Sequence, residues 1–371
     1  MERGEHGPCG CSALTVAAAF GEVALSKRKS TMQRFQASET ASSILSRQKP
    51  SFVMRAMRYP LTPPAFGFIV VFMFFATAAP SLFLTVPNLA VVLTTSTEVG
   101  IVAVGVGMLM IAGEFDLSVG SVFGMSSVSF ALLSNQGVNP FLSFLLVLII
   151  ALLVGAFNGV ITVKGKIPSF ITTLGMMMFI RGLMLLRTGG WDVIYKSSDK
   201  LLLTILAGKL GDSGLRWSIA WFLALTILLF IMVDQTQYGN HILASGGNSS
   251  VARHIGVNVD RIKISAFLIS ALLAGFGGCV HMARFTAADS TLGTGMELET
   301  ITACVIGGIS LLGGYGNILG AFVGAILISM IQSGLILIGV PGYFYIGVLG
   351  LVLVITAFIN NYFATRIRMM R

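Results

Sequence analysis

The chain has 371 residues, of which 55% are hydrophobic and only 11% charged, with a mean hydropathy of +0.88 and a formal net charge of +9. Soluble globular proteins carry roughly 25% charged residues, so these figures exclude a sizeable water-soluble domain and place the chain among helical proteins that cross a membrane many times. The positive balance calls for no nucleic acid, because Lys and Arg gather at the chain ends and connecting segments, where a basic face meets anionic lipid.

Residues 1–60 mix Ser, Thr, Gln and Lys around one weak apolar patch, Leu14 to Leu25, interrupted by Gly21 and Glu22. The patch is too short to span a bilayer and lacks the preceding basic cluster of a signal peptide. A largely disordered basic arm is expected, with Met32 and Met54 as alternative starts. Cys9 and Cys11 form a C-x-C in this arm. Cys279 and Cys304 fall in predicted helices, no C-x-x-C or His cluster accompanies any of the four, and no metal or cofactor is assigned.

From there the chain alternates apolar runs with Gly, Pro, Asn and charge clusters. About 20 apolar residues cross a bilayer core of about 30 Å, which predicts spans near 65–84, 88–112, 118–134, 141–163, 168–187, 217–233, 264–284, 301–312, 318–338 and 343–360. The expected fold is all-α, a polytopic membrane protein of about ten transmembrane helices. The runs 118–134 and 301–312 are short and glycine-rich, so broken or re-entrant helices are expected there, and a count of eight or nine full crossings stays open. The organisation expected is an arm over 1–60, a membrane body over 61–362 with a polar loop at about 235–263, and a basic tail over 363–371.

Nine basic residues against four acidic ones precede Tyr59, and Arg366, Arg368 and Arg371 close the chain. By the positive-inside rule both ends are cytoplasmic. Ten crossings then also place Lys164, Lys166, Arg253, Arg261 and Lys263 inside. The loop near 188–216 is the exception, since it carries Lys196, Lys200, Lys209 and Arg216 yet falls outside.

Three stretches concentrate polar groups. In the first, Glu98 lies well inside an apolar run, and Gly113-Glu114-Phe115-Asp116-Leu117-Ser118-Val119-Gly120 follows. Ionisable groups at membrane depth are functional candidates unless they cap a helix, and Asp116 with Ser118 also reads as a cap for the helix starting near Leu117. The second runs from Tyr238 to Val257, a polar island between two apolar runs. Gly246-Gly247 reads as a turn, Asn248 and Ser249 as N-cap residues and Gly256 as a C-cap, giving a helix of one or two turns across a loop. The third, Gly307 to Gly324, holds seven glycines in eighteen residues. There Gly320 and Gly324 fit a helix-packing stripe, while Gly313-Gly314-Tyr315-Gly316 breaks a helix roughly where Gly113 to Gly120 does in the first half.

No G-x-S-x-G, H-E-x-x-H or G-x-x-x-x-G-K-[ST] is present, so neither catalysis nor ATP hydrolysis is expected of this chain. From about Ala65 to Asn360 it resembles the permease subunit of monosaccharide-type ABC importers, the ribose, xylose and arabinose group. The resemblance rests on Gly113 to Gly120, on Asn158-Gly159 through Lys164-Gly165-Lys166-Ile167-Pro168-Ser169-Phe170-Ile171-Thr172-Thr173-Leu174-Gly175, on the island, and on Gly307 to Gly324. Glu114 departs from the family pattern, which commonly has a second glycine there.

The resemblance implies a bacterial inner-membrane subunit that pairs with a second permease, as homodimer or heterodimer, with cytoplasmic ABC ATPases and with a periplasmic sugar-binding protein. The island becomes a coupling helix, with Gly246, Gly247, Asn248, Ala252, Arg253, Ile255 and Gly256 as its working residues and Ala252, Arg253 and Gly256 facing the ATPase. Translocation-path candidates are Glu98, Glu114, Asp116, Ser118, Asn158, Ser310, Tyr315 and Asn317, and Trp191, Trp217 and Trp221 read as interfacial belt residues. Two alternatives stand beside this one: an ABC permease for nucleosides or branched-chain amino acids, and an ion-coupled carrier using Glu98, Glu114 and Asp116.

Overall fold

The computed structural model describes residues 62–211 and 214–369, with side chains to residue 360; those up to Phe363 belong to one compact unit, Ala56–Phe363. The expected arm and its Cys9 and Cys11 lie outside the described residues. Of the expected tail, only the helical backbone to Met369 is described.

The helices, in chain order, are α1 (Thr62–Ala78), α2 (Pro80–Phe83), α3 (Val86–Ile111), α4 (Val119–Asn135), α5 (Pro140–Gly165) and α6 (Ser169–Thr188). After them come α7 (Leu201–Ala207), α8 (Trp217–Asp234), α9 (Gln237–Gly247), α10 (Ser249–His254), α11 (Val259–Phe285), α12 (Met296–Ile306), α13 (Ile318–Leu337) and α14 (Tyr345–Met369). Two-residue strands β1 (Val193–Ile194) and β2 (Ala287–Ala288) pair antiparallel, Val193 opposite Ala288. Among the described residues seven helices are long and apolar enough to cross a membrane, and α1 and α4 are shorter apolar helices. The chain is an all-α polytopic membrane protein.

Its centre is α3 and α11. The span of α3 is 72% buried inside the protein and that of α11 61%, against 22% for α6 and 11% for α14. Helix α11 packs on α5, α4 and α3, and α13 packs on α3 and α12. Lipid is as apolar as Leu, so close approach of backbones and interhelical hydrogen bonds must hold such a bundle together. The Gly320 stripe does this: a Cβ at Gly320 would stand 2.0 Å from Gly307 O, and one at Gly324 would stand 2.0 Å from Ala303 O.

Two crossings are broken. After α3 the chain runs without helix from Gly113, and Leu117 N and Ser121 Oγ reach Thr173 Oγ1 (3.1 Å) and Met177 O (3.1 Å) on α6. Met177 lies eight residues into α6, about 12 Å along it at 1.5 Å per residue, so α4 begins well inside the bundle and continues away from the island.

The second break descends to meet it. From β2 and Ser290, whose Oγ donates to Gly190 O at 3.1 Å, the chain drops to Gly293 and α12 starts three residues later. A Cβ at Gly120 would lie 2.2 Å from Gly293 O, and one at Gly293, which has φ +82°, would lie 2.0 Å from Gly120 O. Helices α4 and α12 thus start side by side at mid-depth and run in opposite directions, the arrangement of inverted repeats.

This corrects two expectations. The span expected at 301–312 is a half-helix, Met296–Ile306, and Gly307–Asn317 is the loop after it. The counterpart of the Gly113–Ser118 break is the descent over Thr286–Gly295 rather than Gly313–Gly316. Hydropathy reads that descent as an external loop because it is polar.

Candidate functional site

The island is helical for most of its length. Tyr238 to Gly247 belong to α9, so Gly246-Gly247 is the end of a helix and no turn. The chain breaks at Asn248, whose Oδ1 accepts from Ser250 N and Val251 N, both at 3.1 Å, and so caps α10. Gly256 follows α10 at φ +90°, beyond the range most side chains adopt.

Glycine at 246 has a packing reason. A Cβ there would sit 1.9 Å from Ile111 O and 2.7 Å from Gly314 N. Gly314 N itself donates to Ile111 O at 2.9 Å. The end of α9 is therefore wedged between the end of α3 and the Gly307–Asn317 loop, touching the root of each broken crossing. Around this junction Lys263 Nζ donates to Glu114 Oε1 (2.6 Å), and Asn317 caps α13 while its Nδ2 donates to Asp234 Oδ1 (3.1 Å). The hydroxyls of Tyr238 and Ser265 lie 2.5 Å apart, and burial raises the Tyr238 phenol above its ordinary value.

On α10 and at its C-cap, Val251 and Ile255 are 53% and 71% exposed beside Arg253, His254 and Gly256. Ala252, expected to face outward, is 1% exposed and points into the bundle, as the side of α10 toward α11 requires. Arg253 pairs with Asp260 at the start of α11. Val251, Asp260 and Lys263 escaped sequence reasoning; Val251 carries a detectable signal, being an apolar residue at i and i+4 with Ile255 on an otherwise polar segment.

The eight residues expected to line a path fall into three separate places. Glu98 lies toward the far end from the island, its Oε2 2.9 Å from His281 Nδ1 and its Oε1 accepting from Arg284 Nη1 at 2.8 Å. Arg284 also borders a cavity of about 580 Å³ with Thr94, Arg216 and Phe285. Asp116, Ser118 and Asn158 form a buried cluster: Asp116 Oδ1 accepts from Ser118 N (2.8 Å) and Oγ (2.6 Å), and Asn158 Nδ2 donates to Ser118 Oγ (2.9 Å). Glu114, Ser310, Tyr315 and Asn317 belong to the island junction. Tyr315 is 51% exposed, and Ser310 Oγ accepts from Leu312 N at 3.1 Å.

At the mid-depth break the chain brings together side chains no motif singled out. Asp289 Oδ1 accepts from Thr291 N (2.6 Å) and Thr291 Oγ1 (3.0 Å), repeating the Asp116-x-Ser118 turn. Arg181 of α6 donates through Nη1 to Thr294 Oγ1 and through Nη2 to Gly293 O at 3.3 Å. Arg181 was hidden by the apolar run around it. Trp221 Nε1 donates to Ile205 O (3.0 Å), while Trp191 and Trp217 are exposed.

Comparison with known proteins adds a family. The model of the family described as branched-chain amino acid transport system / permease component matches residues 88–357. The autoinducer 2 import system permease protein LsrC of Salmonella typhimurium (strain LT2) is 35% identical over 286 residues, 77% of this chain and 81% of that protein. The ribose import permease protein RbsC of Escherichia coli (strain K12) is 33% identical over 287 residues, 77% of this chain and 89% of that protein. No solved structure matches.

Proposed function

Since the chain belongs to the branched-chain amino acid transport system / permease component family, we propose that it is the membrane permease subunit of an ATP-driven importer for a monosaccharide. The likeness to a ribose import permease over 77% of the chain supports that cargo over a nucleoside or an amino acid. The chain itself carries no phosphate-binding loop, so ATP is hydrolysed by a separate cytoplasmic ATPase. A second permease completes the path, and a periplasmic binding protein delivers the sugar. The protein sits in a bacterial inner membrane with both termini cytoplasmic, an arm over 1–60, the permease body over 61–362 and a tail over 363–371.

The observation that carries this reading is the island. Val251 and Ile255 offer an exposed apolar pair on a polar surface, the kind of patch a partner covers. The same segment is wedged by Gly246 against the end of α3 and the Gly313-Gly314 turn. A push on α10 is thereby delivered to the roots of both broken crossings. Ligand binding drives such a change only through different affinity for two states, here ATP closing the ATPase dimer against the island. Gly246, Gly247, Asn248, Arg253, Ile255 and Gly256 serve this coupling, and Ala252 serves it from inside.

An ion-coupled carrier needs acids free to take up protons or cations. Glu98 is paired with His281 and Arg284, and Glu114 with Lys263, which favours fixed structural charges at these two; Asp116, the third acid, is buried without an ion pair among the described residues and is held at Oδ1 by Ser118.

The test is purification from the native membrane in mild detergent with partners identified by mass spectrometry. Co-recovery of an ABC ATPase supports the importer. Repeated recovery of the chain alone, with liposome uptake that follows an ion gradient and ignores ATP, overturns it.

A further inference from the structure

We infer that the face built by α6 and the Asp289–Gly295 descent, centred on Arg181 and Thr294, lines the aqueous translocation path and holds the hydroxyls of a neutral polyol in passage. This rests on the importer reading and adds where the cargo passes.

Arg181 is half-buried and far along its helix. It lies twelve residues into α6, about 18 Å along it at 1.5 Å per residue, in a bilayer core of about 30 Å. Thr294 and Gly293, its two partners, stand beside Gly120 at the start of α4. A guanidinium at this depth is costly unless it meets water, an anion or a cavity. Among the described residues Arg181 makes no ion pair; its partners are a hydroxyl and a carbonyl, and the Glu297 carboxylate, whose Oε2 would stand 2.6 Å from a Cβ at Gly120, lies near this contact without pairing with it.

Phe179 and Leu183, 65% and 49% exposed, lie two residues either side of Arg181, about 160° around the helix from it at 3.6 residues per turn. The side chains one turn away on its own face, Met177, Met178, Met184 and Leu185, are apolar, so the polar character of this face comes from Arg181 itself and from Thr291 and Thr294, both exposed, on the irregular backbone beside it. Non-helical backbone at membrane depth is tolerated only where it is buried in protein or lines a water-filled cavity. With exposed hydroxyls beside a guanidinium that makes no ion pair, the second case applies.

These groups suit a polyol. A guanidinium presents N–H donors in a fixed planar fork, which matches two neighbouring oxygens of a sugar as well as a carboxylate. The threonine hydroxyls both donate and accept. Such a surface hydrates and passes a polyol without a deep binding pocket.

The experiment uses the assembled importer in proteoliposomes, with Cys9→Ser and Cys11→Ser removing the arm thiols; Cys279 and Cys304 are buried. Thr294→Cys and, as control, Leu183→Cys are reacted with a membrane-impermeant methanethiosulfonate. The expected result is labelling of Thr294→Cys at least tenfold faster than of Leu183→Cys, with a rate that changes when ATP is trapped. Arg181→Ala is expected to lose at least tenfold in sugar uptake while basal ATPase activity persists, and Arg181→Lys to recover part of it. Equal, slow labelling at both cysteines, or full uptake by Arg181→Ala, overturns the proposal. Neither failure touches the importer reading, which stands on ATP-dependent uptake by the unsubstituted complex.

Discussion

The two broken crossings are alike in plan and opposite in support. Each turns through an Asp-x-Ser or Asp-x-Thr loop and starts a helix at mid-depth, Asp116 before α4 and Asp289 before α12. The first is clamped: Phe115 N and Leu117 N donate to Ser169 Oγ (3.2 Å) and Thr173 Oγ1 (3.1 Å), Asn158 holds Ser118, and Asp116 is fully buried. The second closes most of its hydrogen bonds within its own turn, exposes Thr291 and Thr294, and is tied to the rest of the chain by Ser290 on Gly190 O and by Arg181. One repeat is an anchor and the other a wall that a cargo can reach. The same turn chemistry serves both, and the surroundings decide the role.

The most disruptive way to break the pair is at their contact. Gly293→Ala places a Cβ 2.0 Å from Gly120 O at φ +82°, and at least 3 kcal/mol of destabilisation, on the order of a buried backbone clash plus strain, is expected in thermal melts of the purified complex. Gly295→Ala, at φ +85° with no atom within 4 Å, isolates the strain alone and is expected to cost about 1 kcal/mol. Equal effects from both would remove the Gly120–Gly293 contact from the scheme.

Next in size is Glu98→Gln. It leaves Arg284 without its carboxylate in a site where both side chains are only 12–15% exposed, and a loss of about 3 kcal/mol is expected, as when one member of a buried pair is removed. Unchanged melting together with lost uptake would instead make Glu98 a transport residue.

The anchor and wall are then compared directly. Asp116→Ala strips two hydrogen bonds from a buried turn and is expected to cost about 2 kcal/mol. Asp289→Asn keeps the turn at an exposed site and is expected within about 0.5 kcal/mol.

Much of this was legible in the residues. Apolar runs separated by Gly, Pro and charge located nearly every crossing, because hydropathy measures what a bilayer core accepts. The same measure failed at Thr286–Gly295 and at Arg181. Polar residues at depth look like loops when they line water, and a lone Arg disappears in an apolar average. Gly246-Gly247 was read as a turn since glycine breaks helices in isolation; here the Ile111 carbonyl excludes a Cβ and the helix continues through both. Ala252 was assigned to the wrong side of α10, because six residues are too few for periodicity to orient a helix. Glu98 stood out as an anomaly, but its partners His281 and Arg284 lie more than 180 residues away and only the fold joins them.

The most direct measurement is uptake of labelled monosaccharide by proteoliposomes holding this permease, its co-purified ATPase and the sugar-binding protein, with ionophores collapsing every gradient. An ATP-driven importer accumulates sugar only with internal-facing ATP, and loses both accumulation and sugar-stimulated ATP hydrolysis when Gly246→Val unseats the island. Accumulation that vanishes with the ionophores and is indifferent to ATP contradicts it.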